Sequence, residues 1–434
     1  MNKVPVIAIF DVGKTNKKIL LFDEHYKIVH EENVQLKETK DEDGFTCEDI
    51  GALTAWIKSV FDKITKDERF DVNAVNFSGH GASFVYLDAD NNVCAPLYNY
   101  LNPYPQKLQK QFYKKYGGEN FFSKQTASPV LGNLNSGMQL YLLKYEKPEI
   151  FKKIKTALHL PQYLSYVLTD KISADITSIG CHTNLWNFAE NEYHDWIKEE
   201  DLENIFAPLF PCDTTTTFEF NNKKIIAGYG LHDSSAALIP YLHSFQEPFV
   251  LISTGTWCIS LNPFNNSPLT EYELNNDCLC YLSYDGKPVK ASRLFAGYEH
   301  EKKTKLLSAK FKKPIDYFTT ISYDEKFFGK KSAAGFSNYE EAYHHLISEI
   351  ILQQVKSTNL VLSNTHVKKI FVDGGFSKNE IYMQLLANAY PDIEIYATSV
   401  SQATALGAAL VIHNKWNKTI PENIIELKLY TASR

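Results

Sequence analysis

The chain has 434 residues, 44% of them hydrophobic and 22% charged, the balance of a globular protein of about two or three domains and not of a disordered, collagen-like or coiled-coil chain. Its 45 basic and 51 acidic side chains leave a net charge of −6, so no global basic field favours a nucleic-acid backbone. No uncharged apolar run approaches the roughly 20 residues that span a bilayer, and seven scattered cysteines, including a lone Cys278-x-Cys280 without a second pair, predict reduced thiols in a cytoplasmic protein rather than a disulfide framework or a zinc site.

Residues 4–10 are apolar and rich in β-branched side chains, which predicts a strand and not the long apolar core and cleavage site of a signal peptide. Residues 11–16 predict a turn, 18–22 a returning strand and 28–34 a third extended run. Leu53, Trp56, Ile57, Val60, Phe61 and Ile64 recur at the spacing of an amphipathic helix. Residues 74–77 predict a short buried strand ending at Ser78-Gly79-His80-Gly81, and the aromatic-rich stretch 105–168 is mostly helical. Residues 225–227 predict a strand and 234–242 a helix.

A second strand–turn–strand follows at 249–261, FVLISTGTWCISL, whose turn Thr254-Gly255-Thr256 parallels Asp11-Val12-Gly13-Lys14-Thr15. This weak internal repeat, a pattern that unrelated hairpins can also share, implies two related α/β halves with a cleft between them and a boundary near Ser244.

Gly13-Lys14-Thr15 has the ending of a P-loop but not its spacing: Ala8 stands where the first glycine belongs, and the turn joins two strands instead of opening a helix. What is left is a tight turn whose amides and Thr15 hydroxyl could cradle phosphate. Asp11 would repel phosphate unless a cation intervened, so it suits a direct or water-mediated Mg2+ contact; the plainer reading is a hairpin with Asp and Gly as turn formers. Asp233, in Gly230-Leu231-His232-Asp233, lies between a strand and a helix, where an N-cap is the plain reading. Its neighbouring histidine and its place between the halves also suit a group that accepts a proton from a substrate hydroxyl. Asp373-Gly374-Gly375-Phe376-Ser377-Lys378-Asn379 follows a strand at 369–372 and opens a helix bearing Ile381, Leu385 and Leu386. Its two glycines permit close approach of a ligand and the helix start favours an anion; the plainer reading is a βα turn that needs such glycines only for its dihedrals. Residues 399–409 predict a small-residue helix able to pack tightly beneath that site, although close helix packing alone is the plainer reading for most of them.

Taken in order, IAIFDVGKTNKKILLFD (7–23), GYGLHDSSAAL (228–238), ISTGTWCISL (252–261) and FVDGGFSKN…SVSQATALGAAL (371–410) resemble the FGGY carbohydrate kinases. They look most like the rhamnulokinase and L-fuculokinase branch. The resemblance implies an α/β fold of two actin-like (ribonuclease H-like) domains with a central cleft, the fold of the actin-like ATPase and sugar-kinase superfamily. It implies an N-terminal domain (1–244) for sugar, phosphate and the catalytic base, and a C-terminal domain (245–434) for nucleotide. Position by position, Asp11 matches the acidic residue near metal and phosphates, with Gly13, Thr15 and Asn16 in the phosphate turn. Asp233 matches the catalytic base, and His80, Gly81, His232 and Ser234 the sugar-binding positions. Gly255 and Thr256 match a second phosphate turn, and Gly374, Gly375 and Asn379 the adenosine segment.

Three segments depart from the family's pattern. Ser83 stands where rhamnulokinase-like sequences carry an acidic residue, Tyr98-Asn99-Tyr100-Leu101-Asn102 replaces an acidic, arginine-bearing stretch, and the segment around Arg293 lacks the usual Gly-Leu-Trp. These are mainly sugar-facing positions, so they bear on the substrate more than on the phosphoryl donor; for Arg293 itself an ion pair is the plain role. The resemblance implies ATP-dependent, Mg2+-assisted phosphorylation of a sugar hydroxyl, on a ketose such as L-rhamnulose or L-fuculose. The alternatives are another ketose or polyol (xylulose, ribulose, glycerol) or a non-catalytic nucleotide-binding sugar sensor. Small-molecule sugar and ATP are the implied partners, with no nucleic acid and no membrane, and the choice between monomer and homodimer stays open.

Overall fold

Strand Val4–Val12 is buried on both faces, and its alternation decides what each face meets. Val6, Ala8 and Phe10 pack with Leu53, Ile57 and Phe61 of helix Ile50–Lys66, whereas Ile7 and Ile9 face the opposite way into a second core. Asp49 caps that helix by accepting the Ala52 amide at 2.9 Å, and its apolar stripe follows the predicted residues. The computed structural model describes residues 3–81, 83–327, 335–398, 402–418, 421 and 424–433. Residues 399–401 of the predicted small-residue helix lie outside that set.

The first seven-stranded sheet runs Thr215–Phe220, Lys223–Gly228, Phe70–Gly79, Val4–Val12, Lys17–Asp23, Ile28–Val34, with the short Leu231–His232 also pairing with Phe70–Gly79. Val4–Val12 is antiparallel to its hairpin partner and parallel to Phe70–Gly79. The second seven-stranded sheet runs Cys278–Leu282, Pro288–Leu294, Cys258–Asn262, Phe249–Thr254, Lys369–Gly374, Glu394–Thr398, Leu427–Tyr430. Phe249–Thr254 is likewise antiparallel to its hairpin partner and parallel to the strand on its other side. The hairpin repeat is therefore a repeat of sheet topology: corresponding central strands carry the Asp11 turn and the Gly255 turn at their C-terminal ends.

Helix Asp233–Ser244 and helix Ala403–Leu410 join the two sheets through one core that includes Ile7, Ile9 and Leu20 from the first, Leu251 and Phe371 from the second, and Ala236 and Ala405 between them. Here the small-residue helix follows its plainer reading, close packing of helices, and its expected place beneath the glycine pair is corrected. It packs under the Asp233 helix and the Phe70–Gly79 strand, not beneath the glycine pair at 374–375, and Asn76 Nδ2 donates to the Ala408 carbonyl at 2.8 Å. The small residues serve a backbone contact: a Cβ on Gly407 would lie 1.9 Å from the Ala236 carbonyl oxygen. None of the seven cysteines forms a disulfide, and no described helix is long and apolar enough to cross a membrane.

Gly407→Ala should accordingly force the two helices apart and cost about 1–3 kcal/mol. Gly375→Ala, whose Cβ would meet nothing within 4 Å, should leave stability within about 0.5 kcal/mol. Urea midpoints of both variants check the contrast.

Candidate active site

The C-terminal ends of adjacent parallel strands are where ligands sit in open α/β sheets, and three predicted residues converge there. The register pairs Asp11 with Ser78 and Val12 with Gly79, while Leu231 pairs with Ser78 and His232 with Gly79. Alternation puts Asp11 on the same face as Ile7 and Ile9, towards the core shared by the sheets. Burial, then the nearby Asp233 carboxylate, raise the Asp11 pKa to about 7 against the opposing pull of Lys18. Lys18 stands directly across the hairpin from Asp11, and its Nζ donates to Gln402 Oε1 at 2.7 Å.

Asp233 is the first residue of its helix, not the cap, which is His232. Its Oδ1 accepts from the Ser234 amide at 2.6 Å and the Ser234 hydroxyl at 3.2 Å, and lies 3.2 Å from His232 Nε2. The side chain is 34% exposed, so it keeps access to the cleft. His232 is buried, which lowers its pKa, with Asp233 working in the opposite sense. Its position is fixed from behind: its amide donates to Thr177 Oγ1 at 2.9 Å, and that hydroxyl donates to the buried Asp175 carboxylate. Gly81 is closely packed here: a Cβ would lie 2.9 Å from Cys181 Sγ and 3.0 Å from the His232 ring.

Around this pair stand the expected His80 and, with it, groups that motif reading missed. His80 Nε2 lies 3.0 Å from Glu48 Oε1, and the buried Glu48 also pairs with Lys14 at 3.2 Å and Lys17 at 2.7 Å. Lys17 Nζ donates to the Gly13 and Lys14 carbonyls at 3.1 and 2.8 Å, so it braces the first turn from within. Burial works to raise the Glu48 pKa, but His80, Lys14 and Lys17 outweigh it and hold the carboxyl well below the usual range. Tyr100, from one of the departing segments, lies beside His80 with ring centroids 5.7 Å apart; burial and then Asp233 push its hydroxyl up to about 12. His182 and Tyr281 flank His232, at centroid distances of 6.3 and 5.3 Å. Burial, followed by the charge of Arg293, pushes His182 down to about 3. Ser83, by contrast, is buried in the fold with its carbonyl accepting the Leu160 amide.

Gly13, Thr15 and Asn16 form the turn beyond Asp11, closed by the Gly13 amide donating to the Asn16 carbonyl at 3.0 Å, with Thr15 and Asn16 exposed. Gly255 and Thr256 are exposed at the equivalent turn of the second sheet. Thr254 organises its neighbour: its carbonyl accepts the Gly375 amide and its hydroxyl the Phe376 amide, both at 3.0 Å. Gly374 has φ +86 and its Cβ would lie 1.9 Å from the Thr254 carbonyl, so this glycine serves the turn. Gly375 faces open space and, with Gly255, Gly297, His300, Phe376 and Asn379, lines a cavity of about 650 Å3. That volume lies within the range of cofactor sites. Arg293 pairs with Asp277 at 2.6 Å and lies over the Trp257 ring, an ion pair at the edge of the second turn.

Sequence comparison places this geometry in a family. The description "FGGY family of carbohydrate kinases, N-terminal domain" matches residues 6–210, and the family's C-terminal domain descriptions match 246–317 and 341–412. The chain belongs to the FGGY family of carbohydrate kinases. Among curated relatives of this FGGY chain, the rhamnulokinase of Halalkalibacterium halodurans is 26% identical over 258 residues, covering 57% of this chain and 52% of the relative. That of Mannheimia succiniciproducens is 25% identical over 263 residues, covering 58% and 52%. The chain thus spans about half the length of the curated relatives it matches. Among solved structures, a carbohydrate kinase from Novosphingobium aromaticivorans aligns with a TM-score of 0.78 at 20% identity, covering 99% of this chain and 95% of that one. Ligand-bound xylulose kinase from Lactobacillus acidophilus aligns with a TM-score of 0.83 at 16% identity, covering 99% and 94%. At such identities these likenesses establish the two-domain fold of the actin-like ATPase class.

The buried ion cluster makes a pH-dependent prediction. Glu48→Gln should cost about 3–5 kcal/mol at pH 7, because it leaves Lys17 buried without its countercharge. A carboxyl whose folded pKa is depressed stabilises the fold above its unfolded value of about 4.3 and loses that contribution as pH falls. The wild type should therefore lose stability below about pH 4.5 more steeply than Glu48→Gln. Parallel stability profiles from pH 7 to 3 would remove Glu48 from this role.

Proposed function

We propose that the protein is an ATP-dependent sugar kinase in which Asp233 is the general base. The observation that carries this reading is the strand register, which sets Asp11 beside Ser78 and His232, with Asp233 next to it, beside Gly79, so that two carboxylates flank one strand end; burial and the field of Asp233 raise Asp11 to about 7. Such a pair suits a site that holds a divalent cation, and Asp11 is the residue that would hold Mg2+. When bound, that ion would neutralise charge on the phosphates.

In the reaction proposed, Asp233 takes the proton of a sugar hydroxyl as its oxygen forms a bond to the γ-phosphorus of ATP and the bond to the ADP oxygen breaks. His232, fixed from behind and 3.2 Å from Asp233, holds the carboxylate in position. The turn of Gly13, Thr15 and Asn16 and the turn of Gly255 and Thr256 offer amides and hydroxyls to the phosphates, with Lys18 adding a positive charge beside Asp11. The 650 Å3 cavity at Gly375 takes the nucleoside. His80, Gly81, Ser234, Tyr100, His182 and Tyr281 supply imidazole, hydroxyl and backbone groups of the kind that recognise sugar hydroxyls. We assign residues 1–244 to the sugar and base half and 245–434 to the nucleotide half, and a cytoplasmic setting on the strength of the reduced thiols and the ATP donor.

The rhamnulokinase matches support a ketose such as L-rhamnulose or L-fuculose as the acceptor. The likeness to xylulose kinase, and to Plasmodium falciparum glycerol kinase with ADP at a TM-score of 0.73 and 18% identity, keeps other ketoses and polyols as the second reading. An ADP-release assay across a panel of ketoses and polyols tests the choice, and failure of every sugar would leave the sensor alternative.

Asp233→Asn should lower kcat by about 10²–10⁴ while ADP binding persists; near-normal turnover in the folded variant rejects the base. Gly375→Val should raise the KM for ATP more than that for sugar, since its side chain would project into the cavity and not into the protein. An unchanged KM for ATP would mean that the nucleoside lies elsewhere.

A further inference from the structure

We infer that His300 reads the nucleobase of the bound nucleotide through a fixed Nδ1–H donor, an inference that rests on the kinase reading above. His300 belongs to helix Ala296–Phe311 and lines the cavity that also contains Asn379. Which of its nitrogens carries the proton follows from a relay that begins at a helix cap. Asn379 Oδ1 accepts the Tyr382 amide at 3.0 Å, the cap of helix Glu380–Ala389, and this identifies the other end of the side chain as its NH2. That NH2 donates to the Tyr343 hydroxyl oxygen at 2.7 Å. The buried Tyr343 hydroxyl then has its own proton to donate, and His300 Nε2 lies 2.8 Å away. Nε2 is therefore the acceptor, and the neutral ring carries its proton on Nδ1.

The surroundings keep that tautomer. Burial lowers the His300 pKa to about 4, so the ring is neutral at pH 7. It stands edge-on to Phe318 at 5.0 Å and to Phe376 at 5.2 Å, which fixes its orientation. Among the described residues Nδ1 has no hydrogen-bond partner, so the donor is left for whatever enters the cavity. A single neutral donor between aromatic rings suits an uncharged acceptor on a flat ring, such as a heterocyclic nitrogen or carbonyl. It does not suit a phosphate, which calls for cations or several amides. Asn379, expected in the adenosine segment, thus acts through Tyr343 and His300 as a positioning residue.

The test uses full-length protein and calorimetric binding of ADP and of tripolyphosphate, which has no base. His300→Phe keeps a ring between Phe318 and Phe376 but removes the donor; it should weaken ADP about 3- to 10-fold, the worth of one hydrogen bond, and leave tripolyphosphate unchanged. His300→Asn, whose amide can place an N–H near the Nδ1 position, should bind ADP more tightly than His300→Phe. Equal ADP affinity in wild type and His300→Phe, or equal loss of ADP and tripolyphosphate, overturns the inference. If the variants do not fold, nitrogen-15 NMR of labelled histidine in the wild type reads the tautomer directly, and a proton on Nε2 overturns it. A wild-type protein that phosphorylates a sugar but binds ADP no more tightly than tripolyphosphate defeats this inference alone. One that binds no nucleotide defeats the kinase reading with it.

Discussion

The crossing of two helices at Gly407 and Ala236 sets the position of everything in the cleft. Helix Asp233–Ser244 starts at the end of a strand of the first sheet, and helix Ala403–Leu410 follows the second sheet's Glu394–Thr398 strand in sequence. Their backbones approach so closely that a single methyl group would collide with a carbonyl oxygen. Close-packed interiors do not deform gradually, so this contact holds the helices, and through them the strand ends, in one arrangement. Asp233 occupies the first turn of a helix whose back is fixed in this way. Its carboxylate therefore faces the cleft near Asp11 and, among the described residues, needs no bond of its own to the second sheet.

Charge is the second constraint. The strand ends gather Asp11, Asp233, Glu48, Lys14, Lys17 and Lys18 into a small volume, and the arrangement divides their work. Glu48 is fully engaged with His80, Lys14 and Lys17, and Lys17 turns its remaining donors to the carbonyls of the first turn. This cluster balances its charges internally and stiffens the turn. Among the described residues, Asp11 has only Lys18 and the Ser78 hydroxyl to offset burial and the field of Asp233, and Asp233 has only the short contacts at its helix start. Their mutual repulsion is the electrostatic demand that a ligand with bound cation would meet.

On the second sheet the corresponding strand ends carry no carboxylate pair. Thr254 uses both its carbonyl and its hydroxyl to shape the Gly374-Gly375 turn, which leaves one glycine committed to the backbone and the other open to the cavity. Gly297 adds a helix start to the same place, since its own Cβ would lie 1.8 Å from the Gly255 carbonyl. The two halves thus share a topology and differ in chemistry: a cluster of carboxylates and lysines at one set of strand ends, and at the other glycine backbone and aromatic walls with Asp373 and the Arg293–Asp277 pair.

Local pattern was enough for the hairpins, the helix over Leu53–Ile64 positions, the doubled topology and the motif residues Asp11, Asp233 and Gly374-Gly375, because alternation, helical period and turn chemistry act over a few residues. Even the face on which Asp11 lies follows from counting by twos from Ile7. The sequence could not reveal the partners reached across long separations. Glu48 meets His80 and Lys17 only because a small hairpin folds back over the first turn. Tyr100 and Tyr281 reach the Asp233 side from different halves of the chain, and the small-residue helix lies under Asp233 although it follows the second sheet's Glu394–Thr398 strand in sequence. Which glycine serves the turn and which the cavity was likewise undecidable from Gly-Gly, since both are adjacent in sequence and differ only in what a Cβ would strike. Such contacts depend on the relative placement of two sheets, and that placement is set by packing across the shared core, not by any local preference of the chain.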